Sequence, residues 1–186
     1  MIISINISNF VATGNLKQAI DLKLTSKLSY VRFDLDVYRC AYIKTPEMHS
    51  KVSVFETGKM ISIGTKSRIE ARQDLVKVVK YLTEKKIAQK IDSTLDFQVR
   101  NIVITGEVDL ATNLKELYSN LDNSMYEPDQ FPAIIHHPIV LEGISILIFQ
   151  SGKFVAAGLR KEGQIKQVVE YMEILAERRF EQKKRS

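Results

Sequence analysis

The chain has 186 residues and a formal net charge of +5, from 27 Lys and Arg against 22 Asp and Glu, which suits one compact domain or two small halves and admits a polyanionic partner without requiring one. Its single cysteine, Cys40, excludes an internal disulfide framework and fits a reducing compartment. There is no apolar run of about 18 residues, so no membrane-spanning helix is expected, and no basic stretch before an apolar core, so no signal peptide is expected.

In chain order, Ile3, Ile5 and Ile7 alternate with Ser4, Asn6 and Ser8. This is the period of a strand, and it continues through Asn9-Phe-Val-Ala-Thr-Gly14 towards a turn. Helical spacing follows over residues 16–28. Residues 37–43 read as a strand, Thr45-Pro46 as a turn and residues 51–64 as a hairpin. Ser67 is a candidate N-cap. The helix it would open places Ile69, Leu75, Val76, Val79 and Leu82 on one face and ends near Lys85-Lys86. The order then recurs. Residues 95–104 read as a strand, 113–121 as a short helix and 131–136 as a strand. A second hairpin follows, then a helix from about Glu162 with Ile165, Val168, Val169, Met172 and Leu175 on its apolar face. The end, residues 178–186, is a charge run that reads as a solvated tail.

The recurrence is one of residues as well as of elements. Phe55-Glu-Thr-Gly58-Lys59-Met-Ile-Ser-Ile-Gly64-Thr-Lys66 is matched by Phe149-Gln-Ser-Gly152-Lys153-Phe-Val-Ala-Ala-Gly158-Leu-Arg160. Phe, Gly, Lys, Gly and a final basic residue keep their spacing, the mark of an internal duplication. Gly58 and Gly152 suit a turn position with φ > 0. The halves divide near residues 90–93, giving repeats 1–92 and 93–186. No Pro/Gly/Ser-rich linker lies there, so they are expected to pack as one unit about a pseudo-dyad.

The hairpin strands are apolar on both faces. Phe55, Ile61 and Ile63 oppose Val52, Val54 and Met60; Leu147, Phe149, Val155 and Ala157 oppose Ile146, Ile148 and Phe154. An α+β arrangement follows, with four helices on one side of a wide antiparallel sheet. The other side would keep Val11, Phe55, Ile61, Ile63, Val103, Leu147, Phe149, Val155 and Ala157 uncovered, which signals a binding surface. A second copy of the chain could cover it instead, as a homodimer in the absence of another partner. Lys59, Lys66, Lys153 and Arg160 lie at the strand ends. An apolar floor with a basic rim suits the minor groove of a duplex, where phenyl rings can wedge between base steps and cations meet the flanking phosphates.

These residues resemble the TATA-box-binding protein family. The hairpin copies look like that family's Phe-x-Ser-Gly-Lys-x-x-x-Thr-Gly-Ala-Lys signature. Asn9-Phe-Val-Ala-Thr and Arg100-Asn101-Ile-Val resemble its Gln-Asn-Ile-Val-Ala, and Tyr126-Glu-Pro-Asp-Gln-Phe-Pro132 is close to its Tyr-Glu-Pro-Glu-(Leu/Gln)-Phe-Pro-Gly. The likeness spans nearly the whole chain, twice over. Gln130 and the lack of an N-terminal extension look archaeal, which implies a cytoplasmic, nucleoid-associated protein; a eukaryotic source would imply the nucleus.

The resemblance implies a saddle of ten antiparallel strands with four helices on the convex side. It implies a general initiation factor that binds and bends A·T-rich promoter DNA and recruits transcription factor B and RNA polymerase. Intercalating rings carry over to Tyr38 with Phe55 and to Phe131 with Phe149. The central asparagines carry over to Asn9 and Asn101, groove-floor valines to Val11 and Val103, and further apolar contacts to Ile61, Leu147 and Val155. Phosphate contacts carry over to Lys44, Lys59, Lys66, Lys153 and Arg160, and the factor B surface to Glu127, Pro128 and Asp129. The chain departs from the pattern at Tyr38, at Ser53 in place of a groove-facing Leu, at Ile63 and Ala157 in place of threonines, and at His137 in place of Arg. The first half lacks the Glu-Pro-x-x-Phe-Pro stirrup, and one residue is inserted near residues 136–143. Two other readings stand beside this one: a divergent paralogue that regulates initiation through protein contacts, and a binder of double-stranded RNA or hybrid.

No cofactor, metal or catalytic set is expected. Adjacent strand residues such as His136 and His137 point to opposite faces, one cysteine makes no zinc set, and no Ser/His/Asp grouping or phosphate-cradling loop appears. Cys40 reads as a small buried hydrophobe.

Overall fold

The computed structural model describes residues 2–34, 36–37, 39–89, 95–110 and 113–177. The expected repeat boundary near residues 90–93 and the charge run 178–186 lie outside them. The strands are β1 (Ile2–Asn15), β2 (Val31–Arg32), β3 (Cys40–Ile43), β4 (Lys51–Phe55), β5 (Lys59–Thr65), β6 (Gln98–Val108), β7 (Ser124–Met125), β8 (Ala133–His136), β9 (Ser145–Phe149) and β10 (Lys153–Leu159). The helices are α1 (Arg68–Glu84), α2 (Leu114–Tyr118) and α3 (Gly163–Glu177). The strands belong to a ten-stranded antiparallel sheet. Among the described residues no helix is long and apolar enough to cross a membrane.

Two compact units divide the chain: one is Asn9–Asn101, the other Met1–Ser8 with Ile102–Ser186. In the first the strand order is β2-β3-β4-β5-β1, and in the second β6-β10-β9-β8-β7. Each unit buries one side of its strands. In the first, α1 packs on β4 and β5. Val52, Val54 and Met60 are wholly buried there with Leu75, Val78 and Leu82 of the helix. In the second, α3 packs on β10 and α2 on β8. Ile134, Ile146, Ile148 and Phe154 are buried there with Val168, Met172 and Leu175. Each such side chain contributes about 1.5–3 kcal/mol relative to exposure.

The turn inside each hairpin is fixed by glycine. Gly58 and Gly152 donate to the carbonyls of Phe55 and Phe149 at 2.9 Å, with φ of 77° and 82°. A Cβ on Gly58 would lie 2.1 Å from the Gln18 carbonyl oxygen, and one on Gly152 would lie 1.9 Å from that of Val108. The same glycines' carbonyls accept from Leu16 and Val108, so each turn is stitched to the chain beside it.

Three expectations need correction. Residues 16–28 form no α-helix, so the described residues hold three α-helices rather than four, with only a single 3-10 turn at Leu22–Thr25. The Leu16 and Ile20 amides instead donate to the Gly58 and Glu56 carbonyls. Lys17 is left-handed, with φ 56°. The Thr25 and Ser26 hydroxyls take the Leu22 and Lys23 carbonyls, the local competition that disfavours these residues within helices. Leu16, Ile20 and Leu22 are nonetheless buried, so the apolar spacing reported burial rather than a helix. In α1, Ile69 and Val76 are exposed, and the buried face is Ala71, Asp74, Leu75, Val78 and Leu82. The reason is Asp74. Its carboxylate is wholly buried and accepts from the His49 and Ser50 amides at 2.9 and 2.7 Å, which turns the helix toward the β3–β4 connection. Finally, the strand expected over residues 37–43 is confined to Cys40–Ile43, and the two-residue strands β2 and β7 carry too little pattern to be read from sequence.

His136 is buried on the helical side, its Nε2 2.6 Å from the Tyr171 hydroxyl on α3. Burial holds its pKa below the ordinary histidine value of 6.5. The unfolded chain therefore takes up this proton first. Stability is complete above about pH 6.5 and declines below it until the lower folded value is passed, by at most ~1.4 kcal/mol per pH unit. His136→Gln should flatten that part of a stability–pH curve measured by urea unfolding. Asp74→Ala removes the acceptor of the part-buried His49 and Ser50 amides and should cost about 1–3 kcal/mol in the same assay. Ser62, wholly buried with a hydroxyl that has no hydrogen-bond partner among the described residues, corresponds to Ala156 in the second hairpin. Ser62→Ala should raise stability by about 1 kcal/mol, or roughly 2–4 °C in Tm.

Candidate nucleic-acid interface

Strand alternation that buries one side of each unit turns a second set of side chains the other way. On β1, Phe10 and Ala12 are buried and Asn9, Val11 and Thr13 are half-buried. On β4 and β5, Phe55 and Ile61 are half-buried and Ile63 is exposed. On β6, Ile102 and Ile104 are buried while Asn101 and Val103 are half-buried. Leu147, Phe149, Val155 and Ala157 repeat the pattern on β9 and β10.

Register sets these residues in cross-strand rows. In the first unit, Tyr42 pairs with Ser53, Ser53 with Ile61, and Ile61 with Thr13. In the second, Ile135 pairs with Leu147, Leu147 with Val155, and Val155 with Thr105. The next row out puts Cys40 beside Phe55 and Ala133 beside Phe149. Cys40 is buried.

Phe131 and Phe149 meet edge to face, centroids 6.1 Å apart at 68°. The turn before Phe131 sets this contact. The amides of both Gln130 and Phe131 donate to the Glu127 carbonyl, at 2.9 and 2.8 Å. That tight turn leaves Phe131 exposed, with Glu127, Pro128 and Asp129 exposed on the same loop. The partner expected for Phe55, Tyr38, lies outside the described residues.

Cations stand beside each ring. Phe55, Lys59 and Ile61 line a hollow of about 510 Å³ together with Arg39 and Arg100. Arg100 donates from Nε to the Thr13 hydroxyl at 3.0 Å. Phe149, Lys153 and Val155 line the matching hollow of about 440 Å³, which holds Glu107 but no arginine. Lys66 and Arg160 occupy equivalent places. Their amides donate to the side chains of Glu70 and Gln164, at 2.7 and 2.8 Å, one turn into the following helix. Lys44 differs: its ammonium donates to the Met48 carbonyl within its own turn. The Asn9 side-chain carbonyl accepts from the Gly64 amide at 2.9 Å, which fixes the plane of its carboxamide. His137 lies exposed, its Nδ1 2.9 Å from the Ser145 hydroxyl. Among the described residues no His, Cys, Asp and Glu group could hold a metal ion.

The profile of the family described as "Transcription factor TFIID (or TATA-binding protein, TBP)" matches residues 4–85 and again 96–177. The chain belongs to the TATA-binding protein family. It is 31% identical to the TATA-box-binding protein of Sulfolobus acidocaldarius over 89% of this chain and 83% of that one. It is 32% identical to the TATA-box-binding protein of Pyrodictium occultum, over 88% and 81%, and 33% identical to that of Cenarchaeum symbiosum, over 85% and 86%. Among solved structures, Methanococcus jannaschii TBP superposes with a TM-score of 0.81 over 93% of this chain and 98% of that one, at 24% identity. This TATA-binding protein family member is thus a DNA-binding transcription factor of archaeal kinship, not an enzyme.

Arg39, Arg100 and Tyr42 are not in the set read from sequence. Arg39 precedes a strand too short to orient it. Arg100 sits one residue before Asn101 and was masked by that neighbour. Tyr42 could have been found by counting back across the β3–β4 pairing from Phe55.

Proposed function

We propose that this family member binds A·T-rich duplex DNA through the minor groove, bends it, and recruits factor B and RNA polymerase to a promoter. The observation that carries this reading is the twice-repeated surface. In each unit a half-buried phenylalanine stands beside an exposed lysine and a cross-strand row holding half-buried aliphatic side chains, Ile61 in the first and Leu147 and Val155 in the second, on the side of the strands away from the helices. Water is a poor partner for such a surface and a groove floor of sugars and base edges is a better one. Val11, Ile61, Val103, Leu147 and Val155 meet the floor. Asn9 and Asn101 meet base-edge acceptors there, a pattern that separates A·T from G·C. Phe55, Phe131 and Phe149 wedge between base steps, with Tyr38 as the fourth ring. Lys59, Lys66, Lys153 and Arg160 neutralise phosphates, and Arg39 and Arg100 add to that set. Lys44 reaches phosphate by releasing the Met48 carbonyl. Glu127, Pro128 and Asp129 offer factor B an acidic loop, and the repeats 1–92 and 93–186 act on the duplex as one unit.

A gel shift on an A·T-rich box, a scrambled duplex and an RNA–DNA hybrid tests the reading. Preference for the box supports it; equal weak binding to all three defeats it and favours a regulator acting through protein contacts. In a fluorescence bending assay, Phe149→Ala should cut the bend angle more than it cuts affinity. Lys153→Ala should weaken binding to every sequence alike and reduce the salt slope by about one.

A further inference from the structure

The two cross-strand rows differ at one place in a way that bears on which base pairs each unit accepts. Ser53 stands in the first unit where Leu147 stands in the second: each sits between the third-strand residue, Tyr42 or Ile135, and the fifth-strand residue, Ile61 or Val155. Directly opposed side chains in such rows lie about 5 Å apart. Leu147, flanked by Ile135 and Val155, fills its place to a level, half-buried apolar surface. Ser53 is far shorter than both neighbours and only 7% exposed, so it forms the floor of a recess walled by Tyr42 and Ile61. The Tyr42 wall is braced: the Lys51 ammonium lies 5.1 Å from its ring centroid. At the bottom of the recess is the Ser53 hydroxyl, whose oxygen can accept a hydrogen bond.

In the minor groove A·T and T·A show acceptors alone, whereas G·C adds one projecting donor, the guanine 2-amino group. A level apolar surface rejects that group twice: it has no room for it, and it leaves an N–H without a partner. A recess with an acceptor at its base does neither. We propose that the Ser53 recess receives the guanine 2-amino group, so that the half of the site read by this unit tolerates a G·C pair where the half read by the other unit does not. Ser53 is thereby a specificity-determining residue. The proposal rests on the minor-groove reading given above.

Inosine·cytosine separates the amino group from every other feature of G·C, because inosine lacks it. Single A·T pairs along an A·T-rich box are replaced in turn by G·C and by inosine·cytosine, and the ratio of the two affinities is measured for each protein. Using the ratio cancels any general change in binding. At one or more positions in one half of the box, the wild-type ratio should stay within about threefold of unity, while in the other half G·C should bind at least tenfold more weakly. Ser53→Leu should bring the tolerant half to the tenfold penalty. Leu147→Ser should relax the opposite half, and it decides the matter if Ser53→Leu fails to bind any duplex. Preference for the box with the same ratios in wild type and both variants overturns the recess alone. No preference for the box over scrambled duplex overturns the groove reading and the recess with it.

Discussion

A strand shows successive side chains to opposite sides, and in this protein both sides are apolar while the helices of each unit reach only one. Everything else is arranged around that imbalance. Val52, Val54 and Met60 vanish beneath α1, and Ile146, Ile148 and Phe154 are buried on the helical side of the second unit. Phe55, Ile61, Leu147, Phe149 and Val155 are left half in water. Keeping such a surface wet is unfavourable, and the stability lost there is recovered only when something apolar and of the right contour is laid against it.

Much of this was legible in the residues because it is periodic. Strand alternation named the two faces of each hairpin correctly, down to Met60 against Ile61 and Phe154 against Val155. The duplication gave each assignment a second witness. What was not legible depended on partners distant in sequence. Nothing in the spacing of Leu16, Ile20 and Leu22 says that the Leu16 and Ile20 amides would be claimed by the β4–β5 turn, so burial was mistaken for helix. Nothing in the α1 pattern says that an aspartate would belong inside, because its warrant is a pair of amides 24 and 25 residues earlier in the chain. A hydrophobic-face argument prefers Ile69 and Val76 to Asp74, and here the polar anchor wins because two part-buried amides without an acceptor would cost more than two exposed aliphatic side chains. For the candidate interface, the rings and lysines were proposed from the repeat, whereas Arg39 and Arg100 came with the hollow beside Phe55 and Tyr42 with the strand register.

The two copies also solve one problem with different chemistry. Each must tie its long helix to the outer strands. In the first unit an ionisable side chain on the helix grips main-chain amides of the connection. In the second, a tyrosine on the helix meets a histidine on the strand, their rings stacked at 5.8 Å. Backbone geometry was kept while the side-chain solution was replaced, which is possible because strand register and helix capping, through Glu70 and Gln164, are set elsewhere.

Gly58 and Gly152 carry a consequence beyond their own turns. Other positions shared by the copies have changed, as Met60 and Phe154 or Ser53 and Leu147 show. A side chain at either glycine would run into a carbonyl oxygen at about 2 Å, and no rotamer relieves a clash made by Cβ itself. These two positions are therefore fixed points of drift. In a descendant whose halves had diverged until no direct comparison could pair them, the hairpin glycines would remain as the landmarks from which the ancient doubling could still be counted out.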